Sequence, residues 1–165
     1  MKNILFTVIV AFALTSCNDE QKSEFSAESL SAELTTLEGE RIPFGDMLKN
    51  KRGETILIEV WASWCGDCVK AMPKIKDLQI EHPDVSYIFV SMDKNMEAWK
   101  SGIEKHELEG DHYWAPDGMQ GEWGKATDID WIPRYIIIDK TGNIATYRAI
   151  ETDFDQINST LKSLK

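Results

Sequence analysis

Apolar residues along this chain fall into three kinds of run. Residues 4–14 are nearly unbroken, with Thr7 the one interruption. Residues 55–61 and 85–92 are short, apolar and rich in β-branched or aromatic side chains, the pattern of strands covered on both faces. Residues 66–81 instead space Val69, Met72, Ile75, Leu78 and Gln79 or Ile80 by three and four, which predicts a helix with Pro73 bending it. The same spacing predicts a helix over 95–108, with Met96, Trp99 and Ile103 inward.

Weaker signals fill the gaps. A short strand is expected over 32–37, a short helix over 44–50, and a glycine-containing helix over 118–127. Residues 134–139 and 144–148 flank Lys140-Thr141-Gly142-Asn143 and predict a hairpin. A last helix starts at Thr152 or Asp153 and turns Phe154, Ile157, Leu161 and Leu164 to one side. Strands alternating with helices, then an antiparallel hairpin, predict one α/β domain over 28–165: a central mixed β-sheet flanked by helices on both faces.

Composition narrows the function. The chain has 165 residues, a length suited to one domain, and a formal net charge of −10. No basic cluster offsets that charge, so no nucleic-acid partner is expected. Three cysteines, Cys17, Cys65 and Cys68, are an odd count that any reading must explain.

The apolar run at 4–14 is too short to cross a bilayer and has the proportions of a signal-peptide core behind Lys2. Leu14-Thr15-Ser16-Cys17 follows, and resembles the bacterial lipobox. Residues 1–16 are thus expected to be a lipoprotein signal peptide, with Cys17 lipidated and 17–27 a polar tether. The alternative is an ordinary secretory peptide in which Cys17 is incidental. The lipid anchor would place the domain at the bacterial cell envelope, facing the periplasm or another extracytoplasmic side, where disulfide chemistry is permitted.

Trp61-Ala62-Ser63-Trp64-Cys65-Gly66-Asp67-Cys68 stands where the strongest strand meets a helix. Zinc needs four ligands, usually two such cysteine pairs, and a disulfide closing so short a loop constrains little of the unfolded chain. A redox pair remains, with no metal and no cofactor. Cys65 at a helix N-terminus gains thiolate stabilisation from backbone N–H groups and the helix dipole. Cys68, one turn on, can resolve a mixed disulfide. The cysteine count then closes: two for redox and one for the anchor.

These residues resemble the thioredoxin superfamily, and within it the membrane-tethered TlpA/ResA-like thiol–disulfide oxidoreductases. The resemblance covers about residues 30–165. It rests on Ile56-Leu57-Ile58-Glu59-Val60-Trp61 leading into the cysteine motif, on Pro73, and on Trp131-Ile132-Pro133 before the hairpin. It implies a thioredoxin-like fold and a cis-proline at Pro133 facing the cysteines. It also implies substrate contacts from Trp64, Gly66, Asp67, Ile132 and Pro133, and a buried acid, Glu59, that exchanges a proton with Cys68. The competing expectations are a trans proline opening an edge strand and a glutamate turned to water.

Two departures stand out. Asp67 replaces the proline that many thioredoxins carry between the cysteines, and its charge disfavours a Cys65 thiolate, which tilts the expectation toward a reductant. The strand Tyr87-Ile88-Phe89-Val90 lacks the lysine that many thioredoxins set near the buried acid, leaving Glu59 without a cationic partner. His106 and His112 are expected in solvated loops, and Trp99, Trp114, Trp123 and Trp131 as core or rim aromatics.

The resulting expectation is an enzyme that reduces protein disulfides and is itself re-reduced by a membrane donor of the DsbD or CcdA kind. An oxidase or isomerase with the same site is the alternative. A peroxide reductase and a non-catalytic binding protein of the same fold are further ones.

Overall fold

The run at 55–61 forms the strand it predicts, and the rest of the domain is arranged around it. The computed structural model describes residues 22–165. Cys17, the signal segment and the first part of the expected tether lie outside the described residues. Helix α1 (Ala27–Ser31) precedes strands β1 (Glu33–Thr35) and β2 (Arg41–Pro43) and helix α2 (Phe44–Lys49). Then come β3 (Thr55–Trp61), α3 (Gly66–Glu81), β4 (Val85–Ser91), α4 (Met96–His106) and β5 (Asp111–Trp114). A 3-10 turn (Gly118–Gln120), α5 (Glu122–Ala126), β6 (Arg134–Ile138), β7 (Ile144–Ala149) and α6 (Phe154–Ser163) complete the order.

The seven strands form one mixed sheet in the order β2-β1-β5-β4-β3-β6-β7. β3 runs parallel to β4 and antiparallel to β6, and every residue of β3 is buried. Glu59 is therefore inside, as its apolar neighbours predict, and not turned to water. Side chains alternate along a strand, so Glu59 and Trp61 share a face. Tyr135 on β6 is paired with Glu59 and carries α6 through an edge-to-face contact with Phe154, centroids 5.2 Å apart. α4 closes on Trp61: a Cβ on Gly102 would sit 3.0 Å from the indole, so only glycine permits this approach. α1, α2 and α5 form a second group in which Phe44 packs edge-on against Trp123 at 5.3 Å.

Four expectations are corrected. The stretch 118–127 is no continuous helix: a 3-10 turn and the short α5 replace it, because Gly121 and Gly124 meet backbone carbonyls too closely for a regular helix of larger residues. β5 was absent from the pattern, and its burial comes from lying beside β4, not from its own sequence. His112 lies on it, buried and stacked on Phe89 at 5.2 Å. Burial lowers the His112 pKa. Ile80 points outward, 80% exposed, and Gln79 instead gives its amide N–H to the Glu109 carbonyl at 2.6 Å.

The C-terminal part of the expected tether is also more than a spacer. Phe25 packs edge-on to Phe44 at 4.9 Å and against Tyr147, and the Ile144 N–H donates to the Ser23 carbonyl at 2.8 Å. An aromatic residue in an otherwise polar stretch gives it an apolar anchor on the domain. No helix among the described residues is long and apolar enough to cross a membrane.

Candidate active site

The C-terminal end of β3 delivers the chain into a tight turn, Ala62 to Cys65, closed by the Cys65 N–H donating to the Ala62 carbonyl at 3.0 Å. Cys65 is the N-cap of α3 and Cys68 stands one turn inside it. The two are joined as a disulfide with Cα atoms 5.3 Å apart. The Cys68 backbone N–H points at Cys65 Sγ, 3.1 Å away. That donor, with the dipole of a sixteen-residue helix behind it, is positioned to stabilise negative charge on Cys65 once the bond opens. Cys65 keeps 7% of its surface exposed and Cys68 none, so an incoming disulfide can reach only the first.

The Ile132–Pro133 peptide is cis, as the resemblance implies. It brings the Ile132 carbonyl oxygen to 3.7 Å from Cys65 Sγ. Trp64 and Trp131 are 56% and 54% exposed, the first beside Cys65 and the second two residues ahead of Pro133. Gly66 opens α3 with free space where a Cβ would stand. Asp67 lies on the exposed first turn and pairs with Lys70 at 3.1 Å. Trp64, Cys65, Gly66 and Asp67 are thus one rim, and the Ile132–Pro133 backbone meets it at Cys65.

Glu59 is 1% exposed, and burial drives its carboxyl pKa up to about 8, opposed in part by a hydrogen bond from the Tyr135 hydroxyl to Oε1 at 3.4 Å. Its Oε2 is buried with no hydrogen-bond partner among the described residues. A carboxyl with a midpoint near 8 is mostly protonated at neutral pH but keeps an ionised fraction, so the acid form can give a proton there and the ionised form can take one.

Sequence reasoning missed three residues. Tyr135 is the partner of Glu59 that the absent lysine left open; it sits two residues after Pro133, but nothing local marks it. Asp93, directly beyond β4, is fully buried and bonded to Ser63. Arg134 follows the cis-proline, is 97% removed from solvent and donates to Asp130 at 2.5 Å, while Arg148 holds the other oxygen of Asp130. This chain of charges ties the 128–133 loop to β7. Among the described residues no group of three or more potential metal ligands is gathered in one place.

A family model described as thioredoxin-like matches residues 53–144, the segment from the lead-in of β3 to the start of β7. The chain belongs to the thioredoxin-like family. Across almost its whole length it is also similar to the thiol-disulfide oxidoreductase ResA of Bacillus cereus. The two are 25% identical over 173 residues, covering 98% of this chain and 96% of the relative. Among solved structures, a thiol-disulfide oxidoreductase from Bacteroides fragilis superposes with a TM-score of 0.66 at 27% identity, over 81% of this chain and 96% of that one. The thioredoxin domain of a Bacteroides vulgatus thiol-disulfide oxidoreductase shares the fold at a TM-score of 0.67 and 20% identity, over 86% of this chain and all of that one. Thiol–disulfide oxidoreduction is the activity class of this family member.

Proposed function

We propose that this protein is an extracytoplasmic, membrane-anchored reductase of protein disulfides, with Cys65 as nucleophile and Cys68 as resolving thiol. The observation that carries the reading is the disulfide at the head of α3, its outer sulfur 3.7 Å from the carbonyl ahead of a cis-proline. In the reduced protein the Cys65 thiolate attacks one sulfur of a substrate disulfide, forming a mixed disulfide and expelling the other substrate sulfur as a thiolate. Cys68 gives its proton to the ionised form of Glu59 and attacks Cys65 Sγ. The two substrate sulfurs leave as thiolates, which take protons from water to become thiols, and two electrons have passed to the substrate from the cysteine pair. Glu59 returns the proton when Cys65–Cys68 is reopened by a membrane donor of the DsbD or CcdA kind.

An extended substrate segment would lie along the Ile132 backbone, with Trp64 and Trp131 as apolar walls and Gly66 leaving the approach open. Asp67 favours the reductant direction, because its carboxylate opposes charge on Cys65. Lys70 shares that carboxylate on the exposed turn, which weakens the opposition. The anchor in this reading is a lipid on Cys17, with residues 1–16 removed, and the lipid chains hold the protein at the membrane surface.

Titrating the full chain against glutathione or dithiothreitol buffers tests the direction. A potential near about −270 mV is the expected result. One near about −120 mV makes the protein an oxidant. Absence of a reversible two-electron couple removes the enzyme reading. Mass spectrometry of the membrane fraction, wild type against Cys17→Ala, tests the lipid.

A further inference from the structure

The turn that presents Cys65 is irregular backbone, and Ser63 is fastened to the sheet by one buried side chain. Asp93 is fully buried at the end of β4. Its Oδ1 accepts the Ser63 hydroxyl at 2.7 Å, its Oδ2 accepts the Ser91 hydroxyl at 2.8 Å, and both share the Ser63 backbone N–H at 3.2 and 3.0 Å. Its own N–H donates to Ser91 Oγ at 3.0 Å, and its carbonyl takes the Trp114 indole N–H at 2.7 Å. The Met92 N–H donates to the Trp61 carbonyl at 2.7 Å, so the two chain segments run bonded side by side into this knot. α4 closes over it, with a Cβ on Gly102 placed 2.8 Å from Ser63 Cβ.

Both carboxylate oxygens are occupied, which leaves none to serve as a general acid or base. Two hydroxyls and a backbone N–H converge on the one carboxylate, so the knot holds Ser63 in a single place against the end of β4. Its position is what gives it consequence. While Cys65–Cys68 is closed, the disulfide itself ties Cys65 to α3. Once that bond opens, Cys65 is held on one side by its N-cap bonds to α3 and on the other by the turn, which Ser63 fastens to the sheet.

We propose that Asp93 is a positioning residue of the redox site: through Ser63 it keeps Cys65 within reach of Cys68 in the open, dithiol form. This rests on the reading that the two cysteines cycle between dithiol and disulfide. Loosening the knot lowers the effective concentration of one thiol at the other, and with it the tendency of the pair to close. Closure takes two electrons and two protons from the thiols and passes them to glutathione disulfide, which leaves as two glutathione molecules. A pair that closes less readily has a less negative potential.

The experiment is a glutathione redox titration of the full chain, for wild type, Asp93→Ala, Asp93→Asn and Ser63→Ala, with chemical denaturation of each variant alongside. Asp93→Ala is expected to lower the equilibrium constant for disulfide closure about tenfold, which is about 30 mV toward a stronger oxidant. Ser63→Ala removes the hydroxyl bond and keeps the backbone one, so it shifts the same way by less. Asp93→Asn retains an oxygen for the Ser63 N–H, and the serine hydroxyls can turn to its amide; it stays near wild type. Should Asp93→Ala fail to fold, the Ser63→Ala shift decides alone. Variants that lose stability yet titrate like wild type make the knot merely structural and overturn the proposal. So does an Asp93→Asn shift as large as that of alanine, which would assign the effect to charge. A wild type with no reversible couple defeats the underlying functional reading instead.

Discussion

Tyr135 faces Glu59 across the antiparallel β3–β6 pair, and its hydroxyl is the donor to the one bonded oxygen of that buried carboxyl. A phenol thus fills the place that the missing lysine leaves open. It supports the ionised form by hydrogen bonding without adding a charge of its own, and burial raises its own pKa with Glu59 and Glu151 adding to the rise. The acid and its partner are set by sheet register, since they lie 76 positions apart in sequence.

Tyr135→Phe keeps the ring and its contact with Phe154 and deletes the donor. The hydrogen bond lowers the Glu59 pKa, so its loss moves the titration of Glu59 upward from about 8. The bond is long at 3.4 Å, so the expected rise is a fraction of a pH unit, a full unit being worth ~1.4 kcal/mol. Carbon NMR of the labelled glutamate carboxyl reads the midpoint directly, and a fall or an unchanged value breaks the pairing.

Glu59→Gln is expected to change how stability depends on pH. The carboxyl titrates at about 8 in the fold against 4.5 in the unfolded chain. Between those values the native state holds a proton that the unfolded state has released. Wild-type stability therefore decreases as pH rises through that window, by at most ~1.4 kcal/mol per pH unit from this group. Glutamine has no such dependence, so denaturation curves across the window should diverge in favour of the variant toward its alkaline end. Parallel curves would show that Glu59 is not buried as a neutral acid.

The two cysteines should fail differently. Cys68→Ser retains the exposed nucleophile and loses the resolving thiol, so mixed disulfides with substrate accumulate and appear on non-reducing gels. Cys65→Ser traps none. The reverse pattern would assign the attack to the sulfur that is completely buried.

Asp130→Ala removes the shared partner of Arg134 and Arg148. Arg134 is then left inside with a charge and no carboxylate, at a cost of several kcal/mol for a fully buried pair. Asp130 is itself 63% exposed, which discounts the figure to about 2 kcal/mol. Urea denaturation measures it, and a loss under about half of that would mean that Arg134 is stabilised elsewhere.

How legible the site was in the sequence depended on how local each feature is. β3, α3 and the cysteine motif are contiguous, their periods are uninterrupted, and both elements end where the pattern says. The buried state of Glu59 followed from its neighbours alone. Tyr135, Asp93 and Arg134 are different, because each acquires its role from a residue on another strand or loop. Asp111-His112-Tyr113-Trp114 likewise carries no strand pattern; it becomes one by lying beside β4, with Trp114 paired to Thr35 of β1. Exposure of Ile80 was hidden for a related reason: its helix position is legible, but which neighbour covers that flank is not.

The Ser23 carbonyl has an effect beyond fastening the chain. Among the described residues β7 is the outermost strand on its side, and the outer backbone row of a border strand is a template on which another copy could add a strand. The first rung of that row, at Ile144, is already filled by the protein's own leading segment, and Lys22 lies over the adjacent Tyr147 ring at 4.9 Å. Copies crowded side by side are thereby discouraged from zipping together along this border. Residues 22–25 act as a guard against aggregation, at the place where the chain enters its fold.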